Sequence, residues 1–203
     1  MSDQKYTALL LVIDRSGSMA PIAEAMSDAV SKLLREQAHL PGLSTVDVVL
    51  FDHEAKRTHH LADPAQVQLK LEPRGGTALF DTLGAALFDF HRHLQSQPEH
   101  ARPAVVQVVI VTDGQDTSSS EYTASAIRQI VRAREADGWQ FTFLGGEIDA
   151  ENAAEQVGIS RSDAIRFERN HESVRLSMQR SSQRMAQGRS PRADNSGASS
   201  TGR

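Results

Sequence analysis

The chain has 203 residues, 39% of them hydrophobic and 24% charged, with a formal net charge of -4 and no cysteine. That length suits one domain with a sizeable core, and the lack of cysteine excludes a disulfide framework, a thiolate metal site and a cysteine nucleophile. Charge is uneven: nine arginines against four acids from Arg161 onward make that end +5 and leave the first 160 residues at -9. With few aromatics beside those arginines, a solvated basic end is favoured over nucleic-acid binding.

Met1 to Lys5 leads directly into a short apolar run, Tyr6 to Ile13, that stops at Asp14-Arg15. This is too short for a signal peptide with a cleavage site. No stretch approaches the ~18 apolar residues of a membrane span. The expected address is the cytoplasm, with no membrane partner.

Short β-rich apolar runs alternate with amphipathic stretches, the pattern of a parallel α/β sheet. Ala8 to Ile13 shows no polar alternation and predicts a strand buried on both faces. Ile22, Ala25, Met26, Ala29, Val30, Leu33 and Leu34 follow at helical spacing, with Pro21 just inside the helix start. Val46 to Phe51 reads as the next strand and the more polar Lys56 to Ala62 as an edge strand. Leu79, Leu83, Ala86, Leu87, Phe90 and Leu94 predict a second helix, and Ala104 to Thr112 another buried strand. A third helix carries Ile127, Ile130, Val131 and Arg134. A strand over Trp139 to Leu144 closes at Gly145-Gly146, before a short helix around Ala153 to Val157 and a brief strand near Ala164 to Phe167. The last helix runs from about His171 to Gln187, with Val174, Met178 and Met185 on one face. One domain over residues 1–187 is therefore expected, followed by a disordered Ser/Gly/Arg tail over 188–203.

Ligands of open α/β sheets bind beyond the carboxyl ends of the strands, so polar residues there carry the most weight. The first strand ends in Asp14-Arg15-Ser16-Gly17-Ser18, where alternation lets Asp14, Ser16 and Ser18 point the same way. The strand ending at Thr112 runs into Asp113-Gly114, and Gly75-Gly76-Thr77 opens the second helix. Together these loops offer two carboxylates and three hydroxyls. Such hard oxygen donors suit Mg²⁺ or Mn²⁺, and suit zinc poorly without a thiolate or imidazole.

DRSGSM resembles the DxSxS motif of the metal-ion-dependent adhesion site in von Willebrand factor type A domains. GGTAL looks like that family's threonine loop and VTDG like its second aspartate loop, in the right order over residues 6–187. The resemblance implies Asp14, Ser16, Ser18, Thr77 and Asp113 as metal ligands, direct or through water. It also implies a Rossmann-like, doubly wound, mostly parallel sheet with one antiparallel edge strand and helices on both faces. The cation would bridge the domain to an Asp or Glu of a protein partner, and the last helix would respond to occupancy. Length and start look most like compact bacterial or phage intracellular members, and a monomer suffices.

Other polar groups have plainer readings. Asp116 to Ser120 is expected to cap a helix beginning near Glu121. Asp81 suits the positive end of its helix, while Asp52 and His53 stand where they would rim the site. His59, His60, His91 and His93 are read as solvated, because neither pair is spaced to share a zinc ion. The competing function is a Mg²⁺-dependent phosphotransferase or hydrolase using Asp14. That chemistry wants a second acid two residues later to protonate the leaving group, and Ser16 stands there. No P-loop or G-x-S-x-G elbow appears, so an enzyme is not expected.

Overall fold

The computed structural model describes residues 6–146 and 149–189. Six strands form one sheet: β1 (Thr7–Asp14), β2 (Ser44–Phe51), β3 (Ala55–Ala62), β4 (Val105–Thr112), β5 (Gln140–Gly145) and β6 (Ala164–Arg166). Their order is β3-β2-β1-β4-β5-β6, with every pairing parallel except β2 with β3. This is the Rossmann-like sheet with one antiparallel edge that the sequence patterning and the family resemblance anticipate.

The helices are α1 (Ala23–Ala38), α2 (Leu79–Ser96), α3 (Ala124–Ala136), α4 (Ala150–Gln156) and α5 (His171–Gly188). Successive residues of a strand face opposite ways, and β1 shows what that requires of a central strand. Ala8, Leu10 and Val12 enter a core shared with Leu83, Leu87 and Phe90 of α2 and Ile127 and Val131 of α3. Leu9, Leu11 and Ile13 enter a second core with Met26, Val30 and Leu33 of α1 and Val174, Met178 and Met185 of α5. A two-sided apolar run is the direct consequence, and all eight residues of β1 are buried.

Three local features differ from expectation. The chain between β1 and α1 first forms a 3-10 turn over Gly17–Ile22 that contains Pro21, so α1 starts at Ala23, later than the apolar stripe predicts. The third helix starts at Ala124, where the Thr123 side chain accepts from the Ala126 amide, and not near Glu121. Asn170 caps α5 by accepting from the Ser173 amide at 2.8 Å. That helix ends at Gly188, and Arg189 then folds back on the body, donating to Ser44 Oγ at 2.9 Å and to the Gln37 carbonyl. Of the tail expected from residue 188, everything past Arg189 lies outside the described residues.

The four histidines are not merely solvated: His59 Nδ1 lies 3.0 Å from Thr58 Oγ1, and His93, 3.2 Å from Gln97 Nε2, packs edge-on against His60. β3 is irregular where it pairs with β2, and Leu61 takes a φ of 47°. The buried Asp47 carboxylate accepts from the Leu61 amide at 2.8 Å and pairs with His60 Nδ1 at 2.8 Å. His91, half-buried against Trp139, has its basicity lowered by burial and by the nearby Arg134 charge.

Candidate metal centre

The strand order reverses between β1 and β4, and Asp14 and Asp113 stand at the carboxyl ends of these neighbours, at the crevice where such sheets bind ligands. Asp14 is fully buried. Its Oδ1 accepts from the Ser16 amide at 2.6 Å, which folds the DxSxS loop back over the strand end. Its Oδ2 accepts from Thr112 Oγ1 at 2.7 Å, tying β1 to β4. Burial pushes the Asp14 carboxyl above the usual range; the Thr112 and Ser16 hydrogen bonds oppose this, and the Asp113 charge adds to it.

The hydroxyls continue the chain of contacts. Ser16 Oγ lies 3.0 Å from Ser18 Oγ, which donates to Asp113 Oδ1 at 2.6 Å. Asp113 is fully buried as well. Arg169 Nε approaches its other oxygen, Oδ2, to 2.9 Å without the alignment of a directed hydrogen bond.

The threonine loop is fastened to both of the others. Gly17 donates its amide to the Gly75 carbonyl at 3.2 Å, and the Thr117 amide donates to the Thr77 carbonyl at 2.8 Å. Gly75 has a φ of 65°, and a Cβ on Gly76 would fall 2.6 Å from Ser118 Oγ, so this turn has little room for anything but glycine. Thr77 is only 5% exposed, and its hydroxyl has no hydrogen-bond partner among the described residues. It faces Gly114: a methyl there would stand 4.0 Å from Thr77 Oγ1.

Of the five residues singled out from sequence, Asp14, Ser16, Ser18 and Asp113 are joined by one hydrogen-bond network, and backbone bonds of the threonine loop bring Thr77 up to the DxSxS and aspartate loops. Buried polar atoms are normally satisfied, yet Asp113 Oδ2 is buried without a directed donor, and beside that loop the Thr77 hydroxyl has no protein partner among the described residues. Two acidic and three hydroxyl groups with spare lone pairs fit a hard divalent cation.

Several supporting residues have roles that their local sequence does not show. Asp52, one residue past β2, is fully buried with Arg15 Nε at 2.9 Å, Arg74 Nε at 2.8 Å and His53 Nδ1 at 3.1 Å. Burial pushes its carboxyl up, but the Arg74 hydrogen bond, the Glu54 amide and the Arg15 charge outweigh it and hold the group below the usual range. Asp52, His53 and Glu54 bring ligand atoms within 4.8 Å of one another, but two arginines already balance the group. The Asp116 to Ser119 loop caps a different helix from the expected one. Asp116 Oδ1 accepts from the Phe80 amide and Ser119 Oγ from the Asp81 amide, satisfying the first turn of α2. Asp81 in return accepts from the Ser120, Glu121 and Tyr122 amides, and those bonds overcome its desolvation to lower its pKa.

Gly146 is another constraint on the site. A Cβ there would lie 2.5 Å from Asp113 Cβ, 2.6 Å from Asp113 Cα and 3.0 Å from Phe167. Gly146→Ala should destabilise the fold by about 2 kcal/mol, within the ~1–3 kcal/mol of overpacking, and displace Asp113. Urea unfolding measures the first effect; a loss under about 0.5 kcal/mol would show that the β5 end yields without strain.

A family model for the von Willebrand factor type A domain matches residues 9–115, just over half of the chain, so the chain belongs to that family. No curated protein matches it. Among solved structures it is similar to the von Willebrand factor domain of the type V pili tip protein Mfa5 from Porphyromonas gingivalis. The identity is 9%, with 95% of this chain and 99% of that one covered at a TM-score of 0.69. It is also similar to proximal thread matrix protein 1 from the mussel byssus, solved with a zinc-occupied MIDAS motif. There the identity is 16%, with 90% of this chain and 46% of that one covered at a TM-score of 0.68. The chain thus spans less than half the length of the mussel protein. The SpRpn10 VWA domain matches at 11% identity and a TM-score of 0.61, covering 87% of this chain and 95% of that one. At these identities the likeness is one of fold. No helix among the described residues is long and apolar enough to cross a membrane.

Proposed function

We propose that the chain is a divalent-cation-dependent protein-binding module in which Asp14, Ser16, Ser18, Thr77 and Asp113 hold one Mg²⁺ or Mn²⁺, directly or through water. The observation that carries this reading is the pair of fully buried carboxylates, Asp14 and Asp113, linked through Ser16 and Ser18, with the Thr77 hydroxyl facing Gly114 without a protein partner. The bound ion would supply an open coordination position to an Asp or Glu of a protein partner. Asp14 and Asp113 neutralise the ion, the hydroxyls add ligands without charge, and the all-oxygen set favours Mg²⁺ or Mn²⁺. The zinc in the mussel protein's MIDAS motif makes zinc the competitor to include in any titration.

Phosphoryl transfer fits less well. That chemistry wants an acid two residues past Asp14, and Ser16 stands there. The proposed protein is thus a non-enzymatic, monomeric adaptor with a cytoplasmic address, its domain closing near residue 187.

The test is a thermal shift with Mg²⁺, Mn²⁺ and Zn²⁺, comparing wild type with Thr77→Val. The variant removes only the unpartnered hydroxyl, so in EDTA it should melt like wild type. With the ion it should lose most of the stabilisation, which for a ligand at 100 times its Kd is about 2.7 kcal/mol. Equal metal shifts in both proteins would remove Thr77 from the site, and no shift in either would defeat the metal reading. Immobilised protein then tests partner capture: the module should retain a partner in Mg²⁺ and release it in EDTA.

A further inference from the structure

We propose that Arg169 is a tethered cation that competes with the divalent ion for Asp113 and so sets the affinity of the metal site. This rests on the metal-site reading above. Arg169 lies 56 residues from Asp113, in the loop between β6 and α5 and next to the Asn170 cap. It grips Asp113 twice: Nε stands 2.9 Å from Oδ2, and Nη2 donates to the Asp113 carbonyl at 3.0 Å. Its side chain stays 40% exposed while the carboxylate beside it is fully buried.

Each Asp113 oxygen thus has a different neighbour, the Ser18 hydroxyl on Oδ1 and the Arg169 guanidinium on Oδ2. A divalent ion held by the Ser16-Ser18 side of the cluster would share that carboxylate with a guanidinium. Two cations on one carboxylate stand well inside the ~8 Å over which salt screens charge, and the buried setting strengthens their repulsion. Loading therefore costs either this repulsion or the Arg169 contacts. Arg15 does not act this way, because its guanidinium turns from the motif to Asp52, 2.9 Å away. By thermodynamic reciprocity, whatever Arg169 takes from the ion's affinity, the ion takes from the hold of Arg169 on Asp113.

The experiment is a Mn²⁺ titration of the full chain, read by the electron paramagnetic resonance of free Mn²⁺, with Arg169→Gln and Arg169→Lys beside wild type. Arg169→Gln keeps a hydrogen-bonding side chain and removes the charge. It should bind Mn²⁺ about tenfold more tightly, within the ~5–150-fold usual for coupled sites. Arg169→Lys keeps the charge and should stay near wild type. Melts in EDTA check that each variant is folded. Wild-type binding with an equal or weaker Arg169→Gln would overturn the competition and leave the metal site standing. Tighter binding by Arg169→Lys as much as by Arg169→Gln would also overturn it, since charge would then not be the cause. Mn²⁺ binding by neither wild type nor Arg169→Gln would overturn the metal site and this inference together.

Discussion

Asp52→Ala should cost the fold about 3 kcal/mol and weaken the metal site with it. The carboxylate is fully buried, and the Arg15 side chain beside it is only 13% exposed. Removing one member of a buried ion pair typically costs ~3–5 kcal/mol, because the other charge stays behind without a partner. The lower end applies here, since Arg74 and His53 are about half exposed and water takes over their share. The damage would spread along the backbone. The Arg15 amide donates to the Phe51 carbonyl and the Arg74 amide to the Arg15 carbonyl, so Arg15 sits in the hinge between the DxSxS and threonine loops. Urea unfolding checks the loss, and Arg15→Met added to Asp52→Ala should recover part of it by removing the orphaned charge. A single-variant loss below about 1 kcal/mol would reduce the cluster to an ordinary surface ion pair. The pH dependence follows from the sign of the shift. A carboxyl held below its unfolded value stabilises the protein above that value, ~3.9, and the contribution disappears as pH falls through the lower, folded-state value. Wild type should therefore lose its advantage over Asp52→Ala only in strong acid.

The proposed ligand residues are legible in the sequence because they sit at chain-local boundaries. Asp14 and Asp113 end runs so uniformly apolar that only strands covered on both faces explain them, and Thr77 follows the glycine pair that a tight turn requires. The residues that orient the ligands are not legible, because each acts across the fold. Thr112 looks like the last residue of a strand until β4 lies beside β1 and its hydroxyl reaches Asp14. Asp52 means little until Arg15 and Arg74 meet on it, and Arg169 belongs to a stretch that reads as a solvated basic end. The Asp116 to Ser119 loop shows how local reading goes astray. Capping residues are assigned to the nearest following helix, yet here the tertiary fold delivers them to the amides of a helix that precedes them in sequence. His60 is a similar case, since its contact with Asp47 depends on the irregular pairing around Leu61.

Asp14→Asn should reverse the order of stability depending on the ion. In EDTA at neutral pH the variant should be more stable than wild type by about 1 kcal/mol, the lower end of what replacing buried charge gains. Wild type there keeps a carboxylate fully buried near a second one, and burial, the larger cause, and Asp113 both raise its pKa against the Thr112 and Ser16 hydrogen bonds. A carboxyl raised above its unfolded value favours the folded protein when protonated, so the ionised form is a burden that grows as pH rises through the folded value. Wild type in EDTA should accordingly gain on the variant as the solution is acidified toward the unfolded value. The asparagine can still accept from the Ser16 amide, Thr112 keeps its bond to the Gly114 carbonyl, 3.1 Å away, and the backbone pairing of Ile13 with Val111 holds the strand ends together. With Mg²⁺ or Mn²⁺ the order should invert. Losing a hydrogen-bond partner of a ligand already costs ~10–100-fold in metal affinity, and the loss of a charged ligand should reach at least the upper figure. Paired thermal melts with and without the ion decide the matter. A variant less stable than wild type in EDTA would mean that Asp14 serves the fold through its hydrogen bonds more than it burdens it through its charge. An undiminished metal shift would remove Asp14 from the ligand set.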